Sequence, residues 1–513
     1  MAETPFTPPK ASMEIEFKFI VPAERLAAVE AALHSAPCVV TPLQAYYFDT
    51  PDSSLATAEV AWRVRREGDL WVQTVKAPGR SPLEREEHNV ALADFSAGNG
   101  LPDPDLHRGT VAGDRLIEAL GAASHGVVRT YETRISRLLR DVVVEGGVAE
   151  LALDTGQVVA YPGTPQCRQA RVCELELELK SGAPAALVQE ASKWVREHGL
   201  YLSTISKAER GERLMAEHPA RPATKASAMS ASSALPAGQA LQQRVVANVM
   251  EQVMANASEI AEGDGDQEHV HQLRVGLRRL RTALRELDML APGAFDAAWQ
   301  APLTHTFRRL GNLRDQEAVL ETVGSRLNRA GGPRIGRLKR ADASAEQIVR
   351  DLAFQATLVS LLGFAAGGPT DAAPHAESLD AEATRRALRR RLRKRVRQMR
   401  QGSRVFHDLP PNEQHRLRKR LKRLRYVTEF LAPALQGGGA RFLKRLKPAQ
   451  KSLGTLNDEQ VAEDVYRTIA EDDPKAWFGV GWLIARRKPL VDECQRALRR
   501  IDNGPRVRKK GFR

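Results

Sequence analysis

The sequence predicts an α+β chain, with an antiparallel β-barrel that forms a tunnel in its N-terminal part and an all-α helical bundle with an internal two-fold repeat in its C-terminal part. Before about residue 217, short β-type segments alternate with turn signals. After about residue 237, strand signals almost vanish, and helical periodicity rich in Leu, Arg and Ala replaces them. Two sequence segments of this second part recur at offsets of 144 and 143 residues.

Length and composition favour a chain of several domains in a reducing compartment. With 513 residues, of which 42% are hydrophobic, the chain can bury two or more cores. The sequence contains no run of 18 apolar residues, so it predicts no membrane span. Residues 1–12 lack the apolar core of a secretory signal. The four cysteines are scattered without a CxxC pair, so we expect neither a disulfide framework nor a zinc site.

The charge is distributed unevenly along the chain. Residues 1–220 hold 23 Lys and Arg against 31 Asp and Glu, a balance of −8. The remaining residues hold 54 basic and 32 acidic side chains, a balance of +22, so the chain total is +14. The C-terminal part should therefore attract polyanions.

These shifts set the predicted domain boundaries. Residues 218–236 are small, polar and contain proline, which is typical of a linker. We predict a disordered N-terminus at 1–12, a β-domain at 13–216, a linker at 217–237, a helical domain at 238–505 with halves at about 238–370 and 380–505, and a basic tail at 506–513.

The β-domain is predicted to contain ten strands and three helices. The predicted strands span 13–21, 43–49, 60–66, 70–77, 84–92, 127–135, 140–145, 148–154, 157–161 and 171–180. The predicted helices span about 22–34, 184–198 and 206–216.

The first strand alternates charged and apolar residues. Glu14, Glu16 and Lys18 share one face, because successive side chains of a strand point to opposite sides. An ordinary half-buried surface strand would show the same alternation, so this strand alone does not predict a site.

The same alternation recurs in later strands. In most of them the charged face is either acidic, with Glu or Asp, or basic, with Arg or Lys. The residues of these faces are Arg63 and Arg65, Thr74 and Lys76, Arg85, Glu87 and Asn89, Glu150 and Asp154, and Glu174, Glu176 and Glu178. A barrel with these faces inward explains the pattern. Carboxylates suit Mg²⁺ or Mn²⁺, and Arg and Lys suit phosphate. The lumen would thus fit a metal-complexed polyphosphate.

The motif Glu14-x-Glu16-x-Lys18 resembles the ExExK signature of the CYTH superfamily, the triphosphate tunnel metalloenzymes. Further landmarks follow in the order of that family over about residues 13–215: residues 46–50, Arg63 and Arg65, Lys76, Arg85 and Glu87, Arg134, Asp154, the acidic strand 174–178, and the helix start 206–211.

The resemblance implies roles for individual residues. Metal binding, of Mg²⁺ or Mn²⁺, falls to Glu14, Glu16 and Glu176. Catalytic roles fall to Glu87, Glu174 and Lys207. Triphosphate binding falls to Lys18, Arg63, Arg65, Lys76, Arg85, Arg134 and Lys207. Two points stay open: which of Glu174, Glu176 and Glu178 bind metal, and which acid is the general base rather than a metal ligand.

The repeat in the C-terminal part carries basic helix faces. Residues 271–281 match 415–425, and residues 310–315 match 453–458. Steps of three and four place the basic residues of each copy along one side of a helix. A solvated helix face is the alternative interpretation, but acidic partners at i+4 are mostly missing and a third basic run spans 385–400. Together these faces predict a groove for a linear polyanion.

This part resembles the CHAD domain, the conserved-histidine α-helical domain, over about residues 238–505. The resemblance implies binding of inorganic polyphosphate by His271, Arg274, Arg278, Arg281, His415, Arg418, Lys422 and Arg425. We do not expect nucleic acid as the partner, because the basic faces carry few aromatic residues for base stacking and no helix-turn-helix or zinc-finger spacing occurs.

The expected function is that of a metal-dependent triphosphatase acting on inorganic triphosphate, with a polyphosphate-binding helical domain. No P-loop motif occurs, which argues against a P-loop NTPase. Adenylate cyclase or thiamine triphosphatase activity in the same tunnel is one alternative, and a mainly polyphosphate-binding scaffold is another. We expect a cytoplasmic protein without membrane partners, associated with polyphosphate granules.

Overall fold

The computed structural model describes residues 12–79, 84–98, 100–121, 126–218, 220–229, 234–333, 343–367, 377–501 and 504–512. The predicted disordered terminus thus lies almost wholly outside the described residues. The chain forms two compact units. The first contains residues 1–224, 253–269 and 349–369, and the second contains 225–252, 270–348 and 370–513.

The first unit is built on one antiparallel sheet of nine strands: β1 (Ser12–Ile20), β2 (Val39–Asp49), β3 (Ala61–Glu67), β4 (Leu70–Pro78), β5 (Glu84–Leu92), β6 (Val128–Val144), β7 (Gly147–Ala160), β8 (Arg168–Ser181) and β9 (Tyr201–Leu202). Their order is β5-β4-β3-β2-β6-β7-β8-β1-β9, and every described pairing between these strands is antiparallel. The predicted antiparallel β-domain is confirmed.

The closed barrel of the prediction is corrected to an open sheet whose edges meet over a short distance. Residues 16–20 of β1 pair with β8, whereas residues 12–15 of the same strand pair with 84–87 of β5. Because β1 gives each neighbour only half of its length, the sheet is not closed along the full length of its strands.

Two predicted strand pairs are single long strands. The segments 127–135 and 140–145 are both part of β6, and 148–154 and 157–161 are both part of β7. Gly156 interrupts the side-chain pattern of β7 at a point where the backbones come close, since a Cβ there would lie 2.1 Å from the carbonyl oxygen of Arg134. A glycine in a strand therefore marked a close approach and not a chain reversal.

Five helices accompany the described strands: α1 (Leu26–Leu33), α2 (Ser54–Thr57), α3 (Val111–Leu120), α4 (Pro184–His198) and α5 (Lys207–Ala216). The Ser206 side chain accepts a hydrogen bond from the backbone N–H of Glu209 and so caps the N-terminus of α5. Gly211 lies against Tyr131 of β6, where a Cβ would be 2.2 Å from the ring. This contact packs α5 against the sheet, in one apolar cluster with Tyr47 and Ala208. Helices α2 and α3 and strand β9 were not predicted.

The described residues after 237 are mainly helical, as predicted: α6 (Gly238–Glu262), α7 (Gln267–Leu287), α8 (Gln300–Arg329), α9 (Ala345–Val349), α10 (Leu352–Ala365), α11 (Ala381–Arg404), α12 (Pro411–Phe430), α13 (Ala440–Asp472) and α14 (Trp477–Arg499). Residues 253–262 of α6 and all of α10 belong to the first unit. The repeated motifs lie on α7 and α12 and on α8 and α13, so each copy is a pair of successive helices. Among the described residues, no helix combines the length and apolarity needed to cross a membrane.

Candidate functional site

The charged residues of the first unit share one face of the sheet. Directly opposite residues on neighbouring antiparallel strands have their side chains on the same side. The register sets Lys76 opposite Glu87, Lys18 opposite Glu176 and Asp154 opposite Glu174, and Arg85 shares the side of Glu87 by alternation along β5. Alternation along each strand then adds Glu16, Arg63, Arg65 and Glu178 to this face, which we call the charged face.

Lys207 lies at the centre of three carboxylates on this face. Its Nζ atom is 2.8 Å from Asp154 Oδ2, 2.9 Å from Glu174 Oε2 and 2.7 Å from Glu176 Oε1. Burial alone would lower the pKa of Lys207, but the three carboxylates outweigh it and raise that pKa well above its ordinary value. Lys207 is the first residue of α5, so the position of the helix sets the position of this ammonium group.

Two arginines complete the ion network. Arg137 of β6 donates from Nε and Nη2 to the two oxygens of Asp154, both at 2.6 Å, and from Nη2 to Glu176 Oε2 at 2.7 Å. Arg210 of α5 donates from Nε to Glu174 Oε1 at 3.1 Å. Burial would raise the pKa of Glu176, but Lys207 and Arg137 hold it well below its usual range. The lowered pKa values of Glu174 and Glu176 favour their ionised forms, which the neighbouring cations compensate.

Arg137 occupies the charged face on β6, the position that the sequence prediction gave to Arg134. Arg134 points to the opposite side, is half exposed, and donates from Nε to Glu132 Oε1 at 2.7 Å. The signal that would have found Arg137 is the turn at 145–146. In the resulting hairpin, the residue numbers of each opposite pair add up to 291. Residue 137 therefore lies opposite Asp154. The prediction missed it because it broke β6 between 135 and 140.

Apart from Arg134, the predicted phosphate-binding cations line the charged face. Lys18 donates from Nζ to the carbonyl of Ile205, and burial lowers its pKa. Arg65 donates from Nε to Glu67 Oε1 at 2.7 Å, and Lys76 forms an ion pair with Glu87. Arg85 is half-buried.

Arg63 has one hydrogen-bonded nitrogen and one buried nitrogen without a partner among the described residues. Its Nη1 atom donates to the Tyr47 hydroxyl at 3.5 Å. Its Nε atom is buried and has no hydrogen-bond partner among the described residues. A buried N–H donor without an acceptor fits an anion such as a phosphate oxygen.

The donor set of this face suits a divalent metal. Asp154, Glu174 and Glu176 supply the hard oxygen atoms that Mg²⁺ and Mn²⁺ prefer. Their oxygen atoms converge on the Lys207 ammonium, which takes the place of a metal cation. Accordingly, no group of three or more His, Cys, Asp or Glu side chains is spaced to hold an ion in the part of the chain that the structure describes. Asp154, Glu174 and Glu176 are the acids of this face that would hold such an ion in place of the ammonium.

The other predicted acids surround this centre. Glu16 is half-buried and lies opposite Glu178, whose pKa is raised by burial despite the nearby Lys180. The backbone of Glu14 pairs with Arg85, and its side chain lies outside the described residues. Glu87 is buried and also accepts a hydrogen bond from Asn89 Nδ2 at 2.8 Å.

A cavity of about 330 Å³ adjoins the charged face. Its wall includes Tyr47, which also accepts from Arg63, and Tyr131, whose ring stacks on that of Tyr47 with centroids 4.7 Å apart. Trp62 also lines it, and its buried indole N–H has no partner among the described residues. Glu212 adds a carboxyl group whose pKa is raised by burial. The cavity therefore offers aromatic faces, an unsatisfied donor and acidic groups.

In the second unit, the basic residues of the first motif copy gather around one aromatic ring. The guanidinium carbons of Arg274, Arg278 and Arg281 lie 5.5, 5.4 and 5.4 Å from the ring centroid of Phe307 on α8. These distances are typical of cation–π contacts. Burial, Arg308 and Arg278 lower the pKa of Arg281, which shows that positive charge is crowded here. His271 lies half-buried on the same helix.

The second copy presents its basic residues beside the first. Arg278 and Lys422 hold equivalent positions of the two copies. Burial, Arg278 and Arg418 together lower the pKa of Lys422 to about 6. In the same copy, the His415 ring pairs through Nδ1 with Asn457 Oδ1 at 2.7 Å. Arg418 lies 3.8 Å from Asp458 and Arg425 lies 3.6 Å from Glu429. Arg278, Arg418 and Arg425 thus crowd around Lys422, with Arg274 and Arg281 beside Arg278 at Phe307.

Comparisons with known proteins match both parts of the chain. The CYTH domain profile matches residues 12–211, and the CHAD domain profile matches residues 244–467. The Haemophilus influenzae inorganic triphosphatase is 28% identical over 168 residues, which cover 32% of this chain and 44% of that protein. The alignment thus spans less than half of this relative.

Solved structures resemble each part separately. The CHAD domain of the plant Ricinus communis is 23% identical, covers 56% of this chain and 100% of its own, and superposes with a TM-score of 0.43. A Hippeastrum protein described as a candidate adenylyl cyclase with a dominant triphosphatase activity is 19% identical, covers 40% of this chain and 97% of its own, and has a TM-score of 0.28.

Proposed function

The chain carries a CYTH domain followed by a CHAD domain, and on that basis we propose that it is a metal-dependent triphosphatase that hydrolyses inorganic triphosphate and also binds inorganic polyphosphate. The observation that carries the proposal is the Lys207 ammonium held by three buried or half-buried carboxylates on a face lined with cations. Triphosphate hydrolysis needs positioning and charge neutralisation, and this arrangement supplies both kinds of charge.

On the charged face, cations and acids have separate tasks. The cations Lys18, Arg63, Arg65, Lys76 and Arg85 bind phosphate oxygens, and the orphaned Nε of Arg63 supports this role. Asp154, Glu174 and Glu176 hold the metal, together with Glu14 and Glu16 as the family resemblance implies. The bound metal would neutralise phosphate charge and activate water. Glu87 holds Lys76 in place through its ion pair.

The second unit supports polyphosphate binding through its crowded positive charge. Burial and, after it, repulsion from neighbouring arginines lower the pKa values of Lys422 and Arg281. A polyanion would relieve this repulsion, and its affinity would fall steeply with salt. The cytoplasmic location and the association with polyphosphate granules stay part of the proposal.

The proposal is tested by incubating the full chain with Mg²⁺ or Mn²⁺ and, separately, tripolyphosphate, ATP or thiamine triphosphate. We expect phosphate release from tripolyphosphate above that from the other two, without cyclic AMP. A Glu16→Gln variant should lose most of this activity. Absence of product from all three substrates, alongside tight polyphosphate retention, would instead favour the scaffold alternative.

A second candidate substrate is an organic triphosphate, because of the cavity beside Arg63. Its stacked tyrosines and the unsatisfied indole N–H of Trp62 fit a planar ring with an acceptor group. This observation favours thiamine triphosphatase or adenylate cyclase activity. Tyr161 also lines the cavity, so a Tyr161→Ala variant tests this alternative. Loss of activity on ATP or thiamine triphosphate but not on tripolyphosphate would support the organic substrate.

A further inference from the structure

The ion network of the charged face extends to the end of α6. The guanidinium of Arg210 is shared between two acids: Nε lies 3.1 Å from Glu174 Oε1, and Nη1 lies 2.7 Å from Glu262 Oε2. The other oxygen of Glu262 accepts from the Ser203 hydroxyl at 2.5 Å. Glu262 is therefore fixed on both sides, and its partner Arg210 is at the same time a partner of the candidate metal ligand Glu174.

A second ion pair, one turn away, fixes the same two helices. Arg213 of α5 pairs with Glu259 of α6, with Nη1 3.1 Å from Oε2. Because residues three apart lie on one side of a helix, Arg210 and Arg213 face Glu262 and Glu259 as a matched set. Ahead of α5, the backbone N–H of Thr204 donates to Ser258 Oγ at 3.0 Å. Residues 258–262 thus hold the helix that carries Lys207.

We propose that Glu262 is a positioning residue that tunes the metal affinity of the charged face through Arg210. Glu262 draws part of the Arg210 charge away from Glu174. Without the charge of Glu262, Arg210 would belong to Glu174 alone, and this carboxylate would be a poorer ligand for a divalent cation. Glu262 lies beyond residues 12–211 of the CYTH match, so the site uses a residue from outside that domain.

This inference rests on the metal site of the proposed function, and its test therefore measures metal binding directly. The variant is Glu262→Gln in the full chain, since Gln keeps the shape and can still accept from Ser203. Mn²⁺ is titrated without substrate and its binding followed by calorimetry or by its spin resonance signal. We expect the affinity for Mn²⁺ to fall by about tenfold, the lower end for groups behind a metal ligand.

Steady-state hydrolysis of tripolyphosphate gives the second measurement. The Mn²⁺ concentration for half-maximal rate should rise by the same factor, while kcat at saturating Mn²⁺ stays within about twofold of wild type. A Glu262→Asp variant, which keeps the charge, should recover part of the affinity. Glu251→Gln, at an exposed position of the same helix, is the matched control and should bind Mn²⁺ like wild type.

Each possible outcome either supports or overturns the inference. If the wild type hydrolyses tripolyphosphate, unchanged Mn²⁺ affinity in Glu262→Gln would overturn this inference but leave the proposed function standing. A weakened affinity that Glu262→Asp does not recover, with a lower melting temperature in both variants, would show a merely structural role and also overturn it. Mn²⁺ binding without any hydrolysis by wild type would remove the proposed function but leave the inference standing. A wild type that binds no Mn²⁺ would overturn both.

Discussion

Arg137 donates a hydrogen bond to Glu176 across an intervening strand, with Nη2 and Oε2 separated by 2.7 Å. The same guanidinium binds both oxygens of Asp154 on the strand between them. One side chain therefore ties together β6, β7 and β8. Lys207 contacts the same two acids, so each of them is shared by two cations.

Replacing Arg137 should be far more damaging than replacing Arg134. Arg137→Gln would leave Asp154 and Glu176 short of a partner, which typically costs about 3–5 kcal/mol for buried pairs. We expect a matching loss of stability and a drop in kcat/KM of about two orders of magnitude, because charge that positions phosphate and metal is lost. Denaturant unfolding and steady-state hydrolysis measure both.

Arg134→Gln is the matched control on the same strand. Its half-exposed pair with Glu132 should contribute at most about 1 kcal/mol, and Arg129 also pairs with Glu132. Near wild-type stability and activity are expected. Equal losses in the two variants would restore Arg134 to the site.

Removing the central ammonium should make the protein depend on metal for stability. In Lys207→Met, Asp154, Glu174 and Glu176 lose the cation that they share, so the metal-free protein should melt at a lower temperature. Mn²⁺ would then no longer compete with the Lys207 ammonium, although Arg137 and Arg210 remain, and we expect its affinity to rise by about tenfold or more. Thermal melts with and without Mn²⁺ measure the stabilisation by mass action.

In those melts, Mn²⁺ should raise the melting temperature more in Lys207→Met than in wild type, while hydrolysis falls. Lys193→Met, at an exposed lysine of α4, should behave like wild type. An equal Mn²⁺ shift in all three proteins would show that Lys207 does not occupy the cation position.

Polyphosphate affinity should fall as the pH rises above about 6. Lys422, with a pKa of about 6 instead of 10.5, is largely neutral at pH 8 in the free protein. A bound polyanion raises this pKa, so binding takes up a proton above about pH 6, up to the higher pKa of the bound state. Affinity therefore decreases with pH in this window, by up to about tenfold per unit.

Fluorescence or calorimetric titration with polyphosphate at pH 6 and 8, at constant ionic strength, checks this dependence. Lys422→Met should bind more weakly at pH 6 and should lose most of the pH dependence. A steep pH dependence that persists in Lys422→Met would assign the proton to another group.

Acid should destabilise the β-domain through His107. Its ring is fully buried, bonded to Gln73 and His88, and its pKa is lowered to about 4, chiefly by burial. Because the folded pKa is below the unfolded value of 6.5, stability is complete above pH 6.5 and is lost as the pH falls towards 4. The loss at pH 5 amounts to about 2 kcal/mol.

Unfolding at pH 7 and pH 5 tests this, with His107→Gln as the comparison. The variant is expected to be less stable at pH 7 but to lose less on acidification. A wild-type slope no larger than that of His107→Gln would contradict the assignment.

The sequence predicted the charged face well because strand alternation is local. Glu174 and Glu176 alternate with leucines, and the structure keeps them on one face with the cations of β1 and β4. Likewise, the basic stripe of α7 followed from helical spacing. Both rest on the period of a single element, which is visible in a short stretch of chain.

The missed features depend on contacts between distant segments. Arg137 could be placed only with the register of β6 against β7, and Gly156 hid that register by imitating a turn. Glu262 contacts Arg210, which lies 52 positions earlier in the chain. The periodicity of α6 does not indicate which helix packs against it. The full closure of the sheet was overestimated because alternation does not reveal how far two edge strands overlap.

The divided pairing of β1 bears on how the protein emerges from the ribosome. Phe17 pairs with Leu177, so about 160 residues must be synthesised before the first strand meets its second neighbour. At typical elongation rates this takes about 8–32 s. During that time an unpaired strand edge stays available to other chains, and contacts of such long range fold slowly. Chaperone demand should therefore concentrate on the nascent N-terminal strand.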